Sequence, residues 1–177
     1  MTSVGLTRGW RLWRITSGSN PPQLVSPVVG GMPVEHTTLP DDGVLNSSCT
    51  AGHPSPHPHC DCGIYFFDDA QLMVQWAKRF GFIDQPKYAL SYGTAQGRTL
   101  AGISHRIFGV PQFGASLRAT SFHVSAILTI EDAKGLGCRY GVPVHWGPMT
   151  LANLFKVENS HMSCLRTTTT PDRCVGT

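Results

Sequence analysis

Apolar and polar positions alternate early in the chain. Across residues 9–16, Trp10, Leu12 and Ile15 are set against Arg11 and Arg14. A near-two-residue period with two tryptophans predicts a strand. Ser17-Gly18-Ser19-Asn20-Pro21-Pro22 reads as a turn, and Leu24 to Val29 as a second strand, so 10–29 reads as a hairpin with a longish loop. Periodicity then disappears. Residues 30–58 are dominated by Gly, Pro, Ser, Asp and His, a composition that cannot pack a core unaided. Ile64-Tyr65-Phe66-Phe67 is a short apolar run, either a buried strand or the start of a helix. Met73, Trp76, Ala77 and Phe80 follow at i, i+3, i+4 and i+7, which is one helical face. Asp68 and Asp69 offer the capping side chain a helix start needs, and Gly81 stops it. The pattern predicts a helix over 69–80.

In the second half, residues 98–110 read as a strand kinked at Gly102. Pro111 to Gly114 reads as a turn, and Ser116 to Ile130 as the returning strand. This is the clearest hairpin in the sequence. Glu131 to Tyr140 reads as a short helix with Ala133, Leu136, Gly137 and Tyr140 on one face and Gly141 as its cap. Gly135 and Gly137 weaken it by roughly 1 kcal/mol each relative to Ala. Val142-Pro143-Val144 reads as an exit strand, and Leu151, Leu154 and Phe155 as one further helical turn. From about Ser160 the chain is rich in Thr and Ser and lacks core residues. The reading is an α+β, β-rich single domain: a curved antiparallel sheet or partial barrel, one main helix and a zinc-stapled loop. Its expected limits are a flexible N-terminus at 1–8, the domain at 9–158 and a disordered tail at 159–177. No internal repeat is present.

Composition narrows the functional classes. The 177 residues fit one domain. Charged residues are only 14 %, against about a quarter in a typical soluble domain. The net charge is +3, too weak to imply nucleic acid by itself. No apolar run approaches the roughly 18 residues a membrane span needs. Arg8, Arg11 and Arg14 near the N-terminus precede no apolar stretch of the kind a secretory signal carries. The expected compartment is therefore the cytoplasm, where six cysteines should be free or metal-bound.

One segment carries chemistry. Residues 49–62 read Cys-Thr-Ala-Gly-His-Pro-Ser-Pro-His-Pro-His-Cys-Asp-Cys. Thiolate and imidazole are the preferred donors of tetrahedral zinc, and a loop with no core of its own needs such a staple. Cys60 and Cys62 place two thiolates on one tight turn, and Gly63 lets the backbone curve behind them. The expected ligands are Cys49, His53, Cys60 and Cys62, with His57 and His59 as competitors that spacing alone does not exclude. Pro54, Pro56 and Pro58 stiffen the spacer and reduce the entropy lost on closure. The bland alternative makes the cysteines small buried residues and the histidines solvated. A disulfide from Cys49 to Cys60 or Cys62 is a third reading. The His-Glu-x-x-His and deaminase signatures are absent. Asp61, Asp68 and Asp69 read as turn and cap residues, so the metal reads as structural, not catalytic.

The stretch His53-x-x-Pro56-x-x-x-Cys60-x-Cys62-Gly63-Ile64-Tyr65 resembles a group of small uncharacterised proteins of actinobacteria and their phages. Gly9-Trp10-Arg11-Leu12-Trp13, Gly114-Ala115-Ser116-Leu117-Arg118-Ala119 and Tyr140-Gly141-Val142-Pro143 are similar to further elements of that group. The resemblance spans roughly 9–144 and favours Cys49, His53, Cys60 and Cys62 over His57 or His59. It brings no activity. Phe66 departs from it, because a small residue usually follows Ile-Tyr there.

The remaining residues read more plainly. Trp10, Trp13, Trp76 and Trp146 fit a β-rich core better than a stacking platform. His105 and His123 lie on the two strands of the expected hairpin, where they would have to face each other to form a second metal pair. Cys138 reads as a core thiol on a helix, and Cys164 and Cys174 as exposed tail thiols. Arg98, Arg106 and Arg118 form either a basic strip or an ordinary solvated strand face. The functional expectation is a non-enzymatic binding or adaptor protein with another protein as partner, in keeping with a phage- or host-interaction accessory role. Nucleic-acid binding through the zinc loop and these arginines is the first alternative, and a zinc hydrolase the second.

Overall fold

A computed structural model of the chain describes residues 3–4, 6–16, 21–27, 38–102, 105–107, 110–112, 116–133 and 135–164. Its centre is a long antiparallel hairpin. Strand β6 (Tyr88–Ala101) pairs with β9 (Leu117–Thr129) from Ala89↔Thr129 to Ala101↔Leu117, with irregularities at Tyr92/Gly93 and Gln96/Thr99. On the free edge of β6 lie β1 (Ser3–Val4) and β2 (Thr7–Ile15). Beyond β2 comes the short β3 (Leu24–Val25). The free edge of β9 is covered end to end by three short strands. β5 (Ile64–Phe66) pairs with 117–119, β4 (Val44–Asn46) with 121–123, and β10 (Val144–Trp146) with 127–129.

The sheet is buried on both faces, which is why apolar residues run consecutively in its strands. Trp13, Ala89, Phe122 and Ile127 face one cluster, completed by Leu24, Leu39, Leu45, Phe66, Leu136 and Tyr140. Leu12, Leu90, Ala126 and Leu128 face the other, under α1 (Ala70–Arg79) and α3 (Leu151–Cys164), with Met73, Ala77, Leu154 and Val157 pointing in. Asp69 caps α1, its Oδ1 accepting from the Gln71 and Leu72 amides at 2.6 and 3.0 Å. Helix α2 (Leu136–Tyr140) ends at Gly141 in the left-handed conformation. The result is the α+β, β-rich architecture expected from the sequence. Among the described residues no helix is long and apolar enough to cross a membrane.

Several expectations need correction. The sheet is not purely antiparallel, because β10 runs parallel to β9. The sheet also begins before residue 9, with Thr7 and Arg8 paired to Ala95 and Thr94. The second strand of the N-terminal hairpin is only Leu24–Val25 within the described residues. Part of the segment read as featureless carries β4, and Leu39 and Leu45 are core residues. Leu45 pairs with Phe122 of β9 and the Leu39 amide bonds the Leu24 carbonyl of β3, so their partners lie outside the segment and no local period marks them.

The central hairpin starts ten residues earlier than expected, at Tyr88, and its tip carries a separate pair, β7 (His105–Ile107) with β8 (Val110–Gln112). The backbone register places His105 opposite Gln112 and His123 opposite Thr94 and Val44, so the two histidines are not paired. The single turn expected near Leu151 is the first turn of α3, which continues past residue 159 to Cys164. Residues 165–177, including Cys174, lie outside the described residues. Cys138 is on α2 but is exposed and disulfide-bonded, not a buried thiol, which departs from the expectation that all six cysteines are free or metal-bound.

Candidate metal centre

Loop 47–63 leaves the sheet after β4 and returns as β5, so both of its ends are fixed on the same edge of β9. Two local turns shape it. The Gly52 amide bonds the Cys49 carbonyl at 3.0 Å, which brings His53 back beside Cys49. The Cys60 amide bonds the His57 carbonyl at 3.2 Å and turns the chain into Cys60-Asp61-Cys62. Gly63 then takes a φ of +121°, and a Cβ there would meet Pro56 Cβ at 3.0 Å and Arg118 Cβ at 3.1 Å. Glycine is required at that position for both conformation and space.

Together these turns gather Cys49, His53, Cys60 and Cys62, with all four ligand atoms within 4.8 Å of one another. Cys49 Sγ lies 3.7 Å from Cys60 Sγ and 3.4 Å from His53 Nε2, and Cys62 Sγ lies 4.0 Å from His53 Nδ1. Tetrahedral zinc with ordinary bond lengths would separate two sulfurs by about 3.8 Å and a sulfur from a nitrogen by about 3.5 Å. The cluster can hold a metal ion. Cys62 is 2 % exposed, and the other three ligands are half-buried. His57 stacks on His53 with ring centroids 4.3 Å apart, and His59 packs edge-on against His57 at 5.9 Å. Neither belongs to the four-residue cluster.

The thiols sit in unlike environments. The Cys62 backbone amide favours the Cys60 thiolate, but desolvation and the neighbouring Cys49 and Cys62 thiols outweigh it and push the Cys60 thiol up to about 11. Burial pushes Cys62 up, yet the polar groups around it, the Ser55 hydroxyl and His57 backbone foremost, draw it down overall. Crowded thiols of this kind ionise together only with a cation close by, which a metal ion held among them would supply.

The residues that hold the loop were not singled out by its sequence. Arg118, on β9, is only 1 % exposed. Its Nη1 donates to the carbonyls of Cys60, Cys62 (2.9 Å) and His57 (3.4 Å), and its Nε donates to Ala101 O at 3.2 Å. The basic strip considered for Arg98, Arg106 and Arg118 therefore loses Arg118 to the interior. Thr120, two residues on, donates from Oγ1 to Ser55 O at 3.1 Å, and its carbonyl accepts from both the amide and hydroxyl of Ser47. Tyr65 closes the far side with its hydroxyl donating to Asp61 O at 3.0 Å. A polar pair at i and i+2 near the start of β9 was the available signal, but it does not reveal what the pair binds. The loop that carries the cluster thus joins β4 to β5 along one strand edge.

Fold and site together define a β-rich α+β domain carrying a three-cysteine, one-histidine cluster able to hold a metal ion. No family model, no curated protein and no solved structure matches this chain.

Proposed function

We propose that this protein is a non-enzymatic binding module whose loop 47–63 is fixed by structural zinc on Cys49, His53, Cys60 and Cys62. The observation that carries this reading is the gathering of four donors within 4.8 Å of one another, with the Cys49 Sγ–Cys60 Sγ and Cys49 Sγ–His53 Nε2 spacings of 3.7 and 3.4 Å matching edges of a zinc tetrahedron. Four protein donors fill a tetrahedron and leave no position for water or substrate, which favours a structural over a catalytic ion. The partner in this reading is another protein. Trp146, 64 % exposed on β10, fits such a contact, since interfaces are enriched in tryptophan. Burial of Arg118 removes one of the three arginines on which a phosphate-binding strip would depend.

Metal content by mass spectrometry on protein purified without added metal, with thermal melts in the presence and absence of chelator, tests the proposal. One zinc per chain and a large fall in melting temperature with chelator are expected. Metal-free protein whose melt is indifferent to chelator would overturn it and direct attention to Cys49, Cys60 and Cys62 as a redox group.

A further inference from the structure

We propose that Arg118 is the buried counter-charge of the metal centre, a positioning residue that sets metal affinity through its charge. This inference rests on the metal-site reading above. A divalent ion bound by three thiolates and a neutral imidazole carries one net negative charge. Arg118 is always cationic and almost completely buried. Among the described residues its guanidinium has four carbonyl acceptors, and no carboxylate is among its hydrogen-bond partners there. Carbonyl dipoles accept from Nη1 and Nε but do not cancel the charge. A buried charge left without an opposite one is costly.

Three of the four carbonyls belong to the metal loop, and two belong to the ligand residues Cys60 and Cys62 themselves. Gly63 brings the loop backbone against the Arg118 side chain. An anion that this loop can build close to Arg118 is the metal–thiolate centre, since the same residues, Cys60 and Cys62, supply both thiolates and carbonyls. With the ion bound, the pair is neutral. Without the ion, the loop meets Arg118 with backbone carbonyls. Metal binding and burial of this charge therefore stabilise each other.

Arg118→Lys and Arg118→Met separate charge from shape, because both lack the planar fork and both have unbranched side chains of comparable length. Wild type and both variants would be titrated with zinc against a chromophoric chelator, with the cobalt(II) spectrum reporting the ligand set. Wild type should take up one ion with a sulfur-rich cobalt spectrum; if it takes up none, the metal-site reading itself fails, and this inference with it. Arg118→Met should bind zinc about 10–100-fold more weakly than wild type, the usual effect of losing a residue that supports metal ligands. Arg118→Lys should bind about tenfold or more tightly than Arg118→Met. Equal affinities for Lys and Met, with wild type still binding zinc, would overturn the counter-charge role and leave the metal site standing. If Arg118→Met does not fold while Arg118→Lys folds and binds, the charge requirement is upheld; an Arg118→Lys protein that folds but has lost zinc overturns it.

Discussion

Trp10 and Phe67 exchange both of their backbone hydrogen bonds, Trp10 N to Phe67 O at 2.7 Å and Phe67 N to Trp10 O at 2.8 Å. This bridge joins β2 to the residue that follows β5, so strands on opposite sides of the central hairpin meet and the sheet curls into a partial barrel. Two glycines make room. Gly9 and Gly93 face each other across β2 and β6. A Cβ on Gly9 would lie 2.4 Å from Phe67 O, and one on Gly93 would lie 2.2 Å from His123 O. Both obstacles are backbone and cannot swing aside. Gly9→Ala and Gly93→Ala should each cost about 2–4 kcal/mol, in the range of overpacked or distorted core sites. Urea unfolding would measure this, and a loss under about 0.5 kcal/mol would mean the sheet is not held this tightly.

Ligand variants should divide sharply from their neighbours. Cys62→Ser and Cys60→Ser remove donors from the cluster and should cost about 4 kcal/mol or more, as loss of a structural metal does, or roughly 10 °C in melting temperature. His59→Ala should change stability by about 0.5 kcal/mol or less. His57→Ala removes a ring stacked on His53 but keeps the carbonyl that Arg118 uses, and it should behave like His59→Ala. Melts of the four variants with and without chelator provide the comparison. A His57 or His59 variant as damaging as Cys62→Ser would mean that the histidine ligand is misassigned.

The four ligands were legible because zinc chemistry is local: the donors lie within fourteen residues, and the proline-rich spacer rules out other structure. Helix α1 was legible for the same reason, since its period and Asp69 cap are written in adjacent residues. The parts that depend on distant partners were not. Tyr88-Ala-Leu-Ser-Tyr-Gly does not alternate clearly, because the strand it forms is buried on both faces. Val44–Asn46 becomes a strand only because β9 offers it an edge. Arg118 resembled a solvated strand residue until the loop folded over it. Helix α3 was underestimated because its apolar face, Leu154 and Val157, is narrow and the residues after it are polar.

The cap of α1 gives an independent check on local structure. Asp69 Oδ1 satisfies two amides that the first turn leaves without partners. Asp69→Ala should destabilise the protein by about 1 kcal/mol. Asp68→Ala, one residue earlier and exposed, should stay within about 0.5 kcal/mol of wild type. Because α1 packs on the sheet face away from Leu45 and Phe66, neither change should alter zinc affinity by more than its effect on folding. Denaturant midpoints for the pair would check this, and equal losses from the two variants would contradict the capping geometry.

His145 makes part of the stability depend on pH. It lies on β10, with Nε2 3.5 Å from Ser160 Oγ on α3. Burial lowers its pKa below the ordinary 6.5. The unfolded chain therefore takes up a proton at a higher pH than the folded one. Between those two values the unfolded state binds more protons, so stability rises with pH there. The contribution is complete above about pH 6.5 and is lost as the pH falls through the folded value. His161 is lowered in the same direction, first by burial and then by Arg8 and His123, and it adds to the slope. Wild-type protein should lose melting temperature between about pH 7 and pH 5, and His145→Gln should lose less. Acid release of metal from the thiolates affects both proteins alike, so the difference between their curves isolates His145. Parallel curves would show that the His145 ring titrates in the folded protein as it does in the unfolded chain.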